Sequence, residues 1–202
     1  GTAAALYGSS EPGGTLNIVS KQPLWRSGHS LEGYVGSYGL KRTALDSTGP
    51  LGEHFAYRLN IALEDRDSFR DHISAQRQVL APAFTWRLSA DTTLDYVGEL
   101  LRHQTPLDRG VVAVNNRLGA IPVSRFLGEP ADGDATVANQ THQLILTHHW
   151  NDDWRSRVGL SARRTTLDGF STEATALRAD GTLTRQRRYR DYASEDVALQ
   201  AE

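Results

Sequence analysis

The chain has 202 residues, 22 basic and 24 acidic, giving a net charge of −2, and it contains no cysteine. The missing basic excess argues against a nucleic-acid partner, and the missing cysteine excludes a disulfide framework or a cysteine metal site. No apolar run reaches the length of a membrane helix, which leaves transmembrane strands untouched, because these need only alternating segments.

The first feature is Leu6–Pro23, LYGSSEPGGTLNIVSKQP. Pro12 fixes φ and Gly13-Gly14 allow positive φ, so a tight reversal precedes an extended Thr15–Val19. Lys21 and Pro23 then stop the strand. The same glycine-rich stretch lacks the Gly-Lys-Ser/Thr ending and the helix that a nucleotide site needs.

Period-two alternation follows. Phe55, Tyr57, Leu59, Ile61 and Leu63 are apolar, while Arg58, Asn60, Glu64 and Arg66 between them are polar. Leu80, Phe84, Trp86 and Leu88 line one face of a further strand, and Leu94, Tyr96 and Leu100 line the next. His142 and His148 share a face with Leu144 and Leu146. From Trp154 to Arg163, Trp154, Val158, Leu160 and Ala162 oppose Arg155, Arg157, Ser161 and Arg163. The period is that of strands rather than helices. Taken alone it fits either a barrel or a half-buried sandwich. Pro82 removes a ladder donor and predicts a bulge in its strand.

Connections sharpen the reading. Gly49–Glu53, Ser89–Thr92 and Asn151–Asp153 read as short turns; Asp67–Ala75, Thr105–Gln140 and Asp168–Thr182 read as long polar loops. Short turns on one side and long loops on the other fit a transmembrane barrel. Trp86, Trp150 and Trp154 flank the short turns, as an interfacial aromatic girdle does. The fold class is therefore all-β, a transmembrane antiparallel β-barrel of which about eight strands are present. Barrels of the plugged transporters have about 22 strands, so the chain reads as a portion of a larger barrel.

Candidate chemistry is sparse. His148-His149 point to opposite faces of a strand and do not converge on one ion. Asp152-Asp153 fall in a turn, where they satisfy backbone donors. No Gly-x-Ser-x-Gly elbow is present. No metal site, catalytic residue or enzyme activity is expected.

The Leu6–Pro23 stretch resembles the end of the plug domain of TonB-dependent outer-membrane siderophore receptors, through Tyr7, Gly8, Pro12, Gly13, Gly14, Asn17, Ile18, Lys21 and Pro23. Thr48–Leu51, Tyr57–Asn60, Leu80–Arg87, Leu107–Gly110 and Arg125–Pro130 are similar to barrel stretches of ferrichrome-type members. The resemblance implies that residues 1–23 end a plug and that residues 24–202 begin a barrel. It implies active import of a ferric siderophore across the outer membrane of a Gram-negative bacterium. The TonB complex would act through a plug segment outside this chain, and outer-membrane lipid would surround the barrel. The siderophore carries the iron, so no protein cofactor is expected. Haem or cobalamin as cargo, a passive pore and a barrel hydrolase are the alternatives. The resemblance points to Tyr7, Arg109 and Phe170 as substrate-binding residues. Arg109, Arg117 and Arg125 stand in a third loop without Tyr or Trp, and guanidinium groups there suit an anionic chelate.

Overall fold

The computed structural model describes residues 20–115 and 117–202. Tyr7 and the glycine-rich turn lie outside the described residues. Eight strands form one sheet: β1 Gly28–Val35, β2 Lys41–Pro50, β3 Phe55–Asp67, β4 Ser74–Arg87, β5 Thr92–Thr105, β6 Ala135–His149, β7 Arg155–Leu177 and β8 Leu183–Ala201. Each pairs antiparallel with its neighbour in chain order, so the sheet is a meander. A single 3-10 turn, Pro130–Asp132, interrupts the β5–β6 connection.

The register carries one face across the sheet. Leu31, Leu45, Ile61, Leu80 and Leu100 form one row; Tyr57, Phe84, Tyr96, Leu144, Leu160 and Leu199 form another. Because side chains alternate, the apolar rows land on this face and most arginines and carboxylates fall on the other, with Asp65, Arg102, Arg164 and Glu195 among the exceptions toward the long-loop end. The apolar face is the exposed one. Leu144 is 41% exposed, Leu160 47% and Leu199 73%. A sandwich would cover such a face with a second sheet. Here none does among the described residues, and a continuous apolar surface of this extent marks contact with lipid.

The opposite face is polar and partly covered. Residues 20–27 lie across its inner end. Arg58 donates to both carboxylate oxygens of Asp46, at 2.9 and 2.6 Å, and to the carbonyl of Gln22 at 3.1 Å. Lys21 reaches the same carboxylate at 2.8 Å, and Leu24 N–H donates to Thr48 Oγ1 at 2.9 Å. The Arg87 guanidinium stands 3.6 Å over the Trp25 ring. These contacts leave Ala56 fully buried on the polar face.

Three of the expected loops change shape. Asp67–Ala75 shortens to residues 68–73, and Thr105–Gln140 shortens to residues 106–134 because β6 starts at Ala135. Asp168–Thr182 is largely strand: β7 and β8 run 23 and 19 residues and leave only residues 178–182 as a connection. A tilted strand crosses the hydrocarbon with about ten residues, so this hairpin projects far beyond the apolar rows. Both its faces are polar, which removes the alternation that marks strands in the sequence. A register shift between Ala174 and Ala176 bends it.

Pro82 makes no bulge. The β4–β5 register is the same on both sides of it, and only the pairing at Ala81 and Pro82 is skipped. Gly98 provides the space. A Cβ there would sit 3.3 Å from Pro82 Cγ and 2.5 Å from the Tyr96 hydroxyl, which crosses over Gly98 to lie 2.8 Å from Nδ1 of His142. Phe55, Phe84 and Tyr96 stack in a row beside it, with centroids 5.6 and 5.9 Å apart. Trp86, Trp150 and Trp154 are all at least half exposed at the short-turn end, as a girdle requires. Gly98→Val is expected to push Tyr96 off His142 and to cost about 1 kcal/mol, the worth of one hydrogen bond. Urea unfolding from lipid vesicles measures it. Gly159→Ala, where the nearest atom is 3.9 Å away, should be neutral.

Candidate functional site

The long-loop end of the sheet is organised by arginines. The connection 106–134 is held on two sides. Toward the β3–β4 connection, Arg70 donates to the carbonyls of Val123 at 2.6 Å and Arg125 at 3.0 Å, and its guanidinium lies against the Asp108 carboxylate. Asp71 N–H adds a bond to Ser124 O at 2.7 Å. Arg70 is buried, so its charge is acceptable only with these partners. Toward β7–β8, Arg185 donates to Gly128 O at 2.6 Å and pairs with Glu129 at 3.2 Å. Arg187 and Thr172 each donate to Asp132 at 2.6 Å. Burial raises the Asp132 pKa, but these bonds outweigh it and hold the group below its ordinary value.

Asp108-Arg109 links the two sides. Asp108 faces Arg70, and its Oδ1 accepts from Gly110 N–H at 2.9 Å, with Gly110 at φ +80°. Arg109 turns the other way and meets Glu173 at 2.9 Å. Glu173 is the centre of a cluster on the polar face. Ser171 donates to it at 3.1 Å, Arg190 contacts both Glu173 and Ser171, and Arg188 stands at 3.9 Å. Burial alone raises the Glu173 pKa; the bonds from Arg109, Ser171 and Arg190 win and lower it to about 2. Three guanidinium groups around one carboxylate leave two positive charges in excess. Arg109 is the most exposed of the three, at 61%.

At the Asp108 end of this link is a recess of about 520 Å³, bounded by Tyr38, Phe69, Ile73, His103, Leu107 and Asp108. His103 Nδ1 is buried there without a hydrogen-bond partner. Arg66, Asp67 and Asp108 also line it, and its aromatic and aliphatic walls can hold the apolar part of a ligand.

The expected site residues separate. Arg109 stands on the polar face. Phe170 stands on the other face of β7, three residues before Glu173, against Tyr189 at 4.8 Å and beneath the Arg187 guanidinium at 3.7 Å. Arg125 contributes its carbonyl to Arg70, and Phe126 lies 6.4 Å from His72. Arg70, Glu173, Arg188 and Arg190 were missed by sequence reasoning. Their partners lie far away along the chain, and residues 168–182 read as a loop. Among the described residues no cluster of metal-ligating side chains forms, and His148 and His149 fall on opposite faces, at register positions facing Ser156 and Arg155.

No protein-family profile matches the chain. It is 42% identical over 99% of its length to the metal-pseudopaline receptor CntO of Pseudomonas aeruginosa, of which it covers 29%. The chain is a homologue of part of the TonB-dependent siderophore and metal receptors. It is also 27% identical over its whole length to the ferrioxamine receptor of Yersinia enterocolitica, of which it covers 28%. The chain thus spans under a third of the length of these relatives. Its structure superposes on the open form of the ferric-catecholate import receptor Fiu of E. coli K12 with a TM-score of 0.85, at 22% identity, over 98% of the chain and 34% of Fiu. The sheet therefore has the fold of part of the barrel wall of TonB-dependent receptors. Its polar face is the lumen face, and its longest connection and hairpin mark the outer rim.

The depressed Glu173 pKa has a definite sign. Its folded value of about 2 lies below the ordinary 4.5, so its contribution is complete above pH 4.5 and is lost as pH falls toward 2. Amide hydrogen exchange at residues 107–110, taken relative to an unstructured peptide at the same pH, should stay slow down to about pH 4 and quicken below it. Glu173→Gln should quicken it already at neutral pH, because Arg190 is then buried without its counter-ion. Glu129→Gln, at an exposed pair, should not.

Proposed function

We propose that the full-length protein is an outer-membrane receptor that imports an anionic metal chelate, energised from the inner membrane through TonB. The observation that carries this is the excess of guanidinium around Glu173 at the outer rim, on the lumen face of a receptor barrel wall. The relatives named as receptors of metal-pseudopaline, ferrioxamine and ferric catecholate support a metal chelate as cargo. The chelate brings the metal, so the receptor has only to recognise the outer surface of the complex.

The cluster suggests how that recognition works. Arg109 rests on Glu173 through one exposed ion pair, which is worth little in water. An incoming carboxylate or phenolate can take Arg109 while Arg188 and Arg190 keep Glu173 neutralised. The exchange leaves no buried charge unpaired. The recess beside it accepts the apolar part of the chelate. Phe170 supports the rim from the other face rather than touching the cargo, and Tyr7 would approach from the plug. TonB then rearranges the plug, and the chelate passes inward.

Uptake of radiolabelled metal by cells expressing the full-length protein, across a panel of chelates, tests this. Energised import predicts uptake of one anionic chelate that collapses with a protonophore. Arg109→Ala should raise the half-saturating concentration about tenfold, the worth of one charge-assisted hydrogen bond. Uptake insensitive to the protonophore would mean a pore. An unchanged Arg109→Ala would remove this residue from the site.

A further inference from the structure

A buried imidazole nitrogen on the lumen face has no partner. Among the described residues two buried side-chain nitrogens make no hydrogen bond, Arg70 Nε and His103 Nδ1. Arg70 Nε lies against the Asp108 carboxylate, so its charge is met. His103 Nδ1 meets nothing, and a buried polar atom in that state is costly. Register places the ring on β5 directly opposite Arg77 of β4 and Val137 of β6. Thr105, two residues along on the same face, already gives its hydroxyl to Ser74 O at 2.8 Å.

His103 lines the recess of about 520 Å³, and the aromatic walls of that recess are held in place. Tyr38 stands at φ +57°, which bulky residues rarely adopt, and its carbonyl accepts from Asp67 N–H at 2.8 Å. The Phe69 ring lies 5.4 Å from the guanidinium of Arg70, the same group that grips Asp108. Both rings are nonetheless more than half exposed. Two fixed and open aromatic walls suit a flat apolar group. The charges around it have both signs. Arg66 in the lining and Arg77 opposite His103 disfavour an ammonium, while Asp67 and Asp108 disfavour a carboxylate. A neutral group is what this surround admits.

We propose that His103 sets the specificity of this recess: it takes a neutral aromatic arm of the cargo that carries a hydroxyl, and the hydroxyl bonds the His103 imidazole. A hydroxyl both donates and accepts, so it fits whichever ring nitrogen carries the proton. A half-turn about the soft Cβ–Cγ bond exchanges Nδ1 with Cδ2 and carries the unpaired nitrogen to the other edge of the ring. An arm without the hydroxyl leaves the imidazole unpaired, which is how a site built for a hydroxyl rejects its analogue. That the arm belongs to a metal chelate rests on the import reading above.

The test uses the full-length protein in detergent micelles and two neutral, water-soluble probes that differ by one hydroxyl, 4-hydroxybenzamide and benzamide. Equilibrium dialysis of each probe, with binding to empty micelles subtracted, gives the two affinities. The hydroxylated probe should bind about tenfold more tightly, the factor one hydrogen bond supplies. His103→Leu should abolish that preference while benzamide still binds, and His103→Gln, which keeps a hydrogen-bonding group, should restore part of it. Tyr38→Ala should weaken both probes, and Arg163→Gln, deeper on the lumen face, should change neither. Equal binding of the probes, a preference that survives His103→Leu, or no binding of either probe would overturn the proposal. An uptake panel in which no chelate is imported would leave the probe preference standing, and equal probe binding would leave import standing, so the two readings fail separately.

Discussion

Backbone hydrogen bonding in hydrocarbon governs this structure. Water is absent there, so each N–H and C=O must find a partner within the protein, and a strand finds it only in its neighbours. From β1 to β8 the ladder meets this demand between neighbouring strands, with one gap at Ala81 and Pro82. Pleating then divides every strand into two faces, and the sequence assigns the leucine rows to one and most arginines to the other. The apolar rows on one face and the arginine cluster on the other both follow from that single alternation. Pro82 shows how far the demand can bend. Its missing donor is tolerated because Gly98 stands opposite and the Tyr96 ring closes over the gap.

Charge organises what alternation does not. Within the wall, Arg58 and Asp46 fasten residues 20–24 to the inner end of the lumen face. Beyond the wall, Arg70, Arg185 and Arg187 fix the 106–134 connection by its carbonyls and carboxylates. These contacts carry most of the shape of the connection, since none of its apolar side chains is buried among the described residues. Arg109 differs from them. Its pair with Glu173 is exposed on the arginine side, and the carboxylate keeps two other guanidinium neighbours. A rigid frame with one exchangeable cation is the basis of the anion capture proposed above.

The wall was legible in the sequence wherever one face meets lipid. Leu59–Leu63, Leu80–Leu88 and Val158–Ala162 state their own orientation, and the three turn-side tryptophans mark the inner interface. Legibility failed where both faces are polar. Residues 168–182 carry no alternation, so two long strands read as a loop, and Phe170 could not be assigned a face. It lies opposite Glu173, and Arg109 gave no sign of its partner 64 positions away. The Leu107–Gly110 stretch was visible as a motif. Its role as the link between Arg70 and Glu173 depends on tertiary pairing that composition does not encode.

The most direct test of the two-faced wall is single-cysteine labelling, for which the cysteine-free chain is suited. Cysteines placed at residues 158 to 163 in the full-length protein, embedded in outer membranes, would be treated with a water-soluble maleimide. The account predicts strict alternation: positions 159, 161 and 163 label through the aqueous lumen, and positions 158, 160 and 162 stay protected by lipid. Uniform labelling, or protection of the odd positions instead, would contradict it.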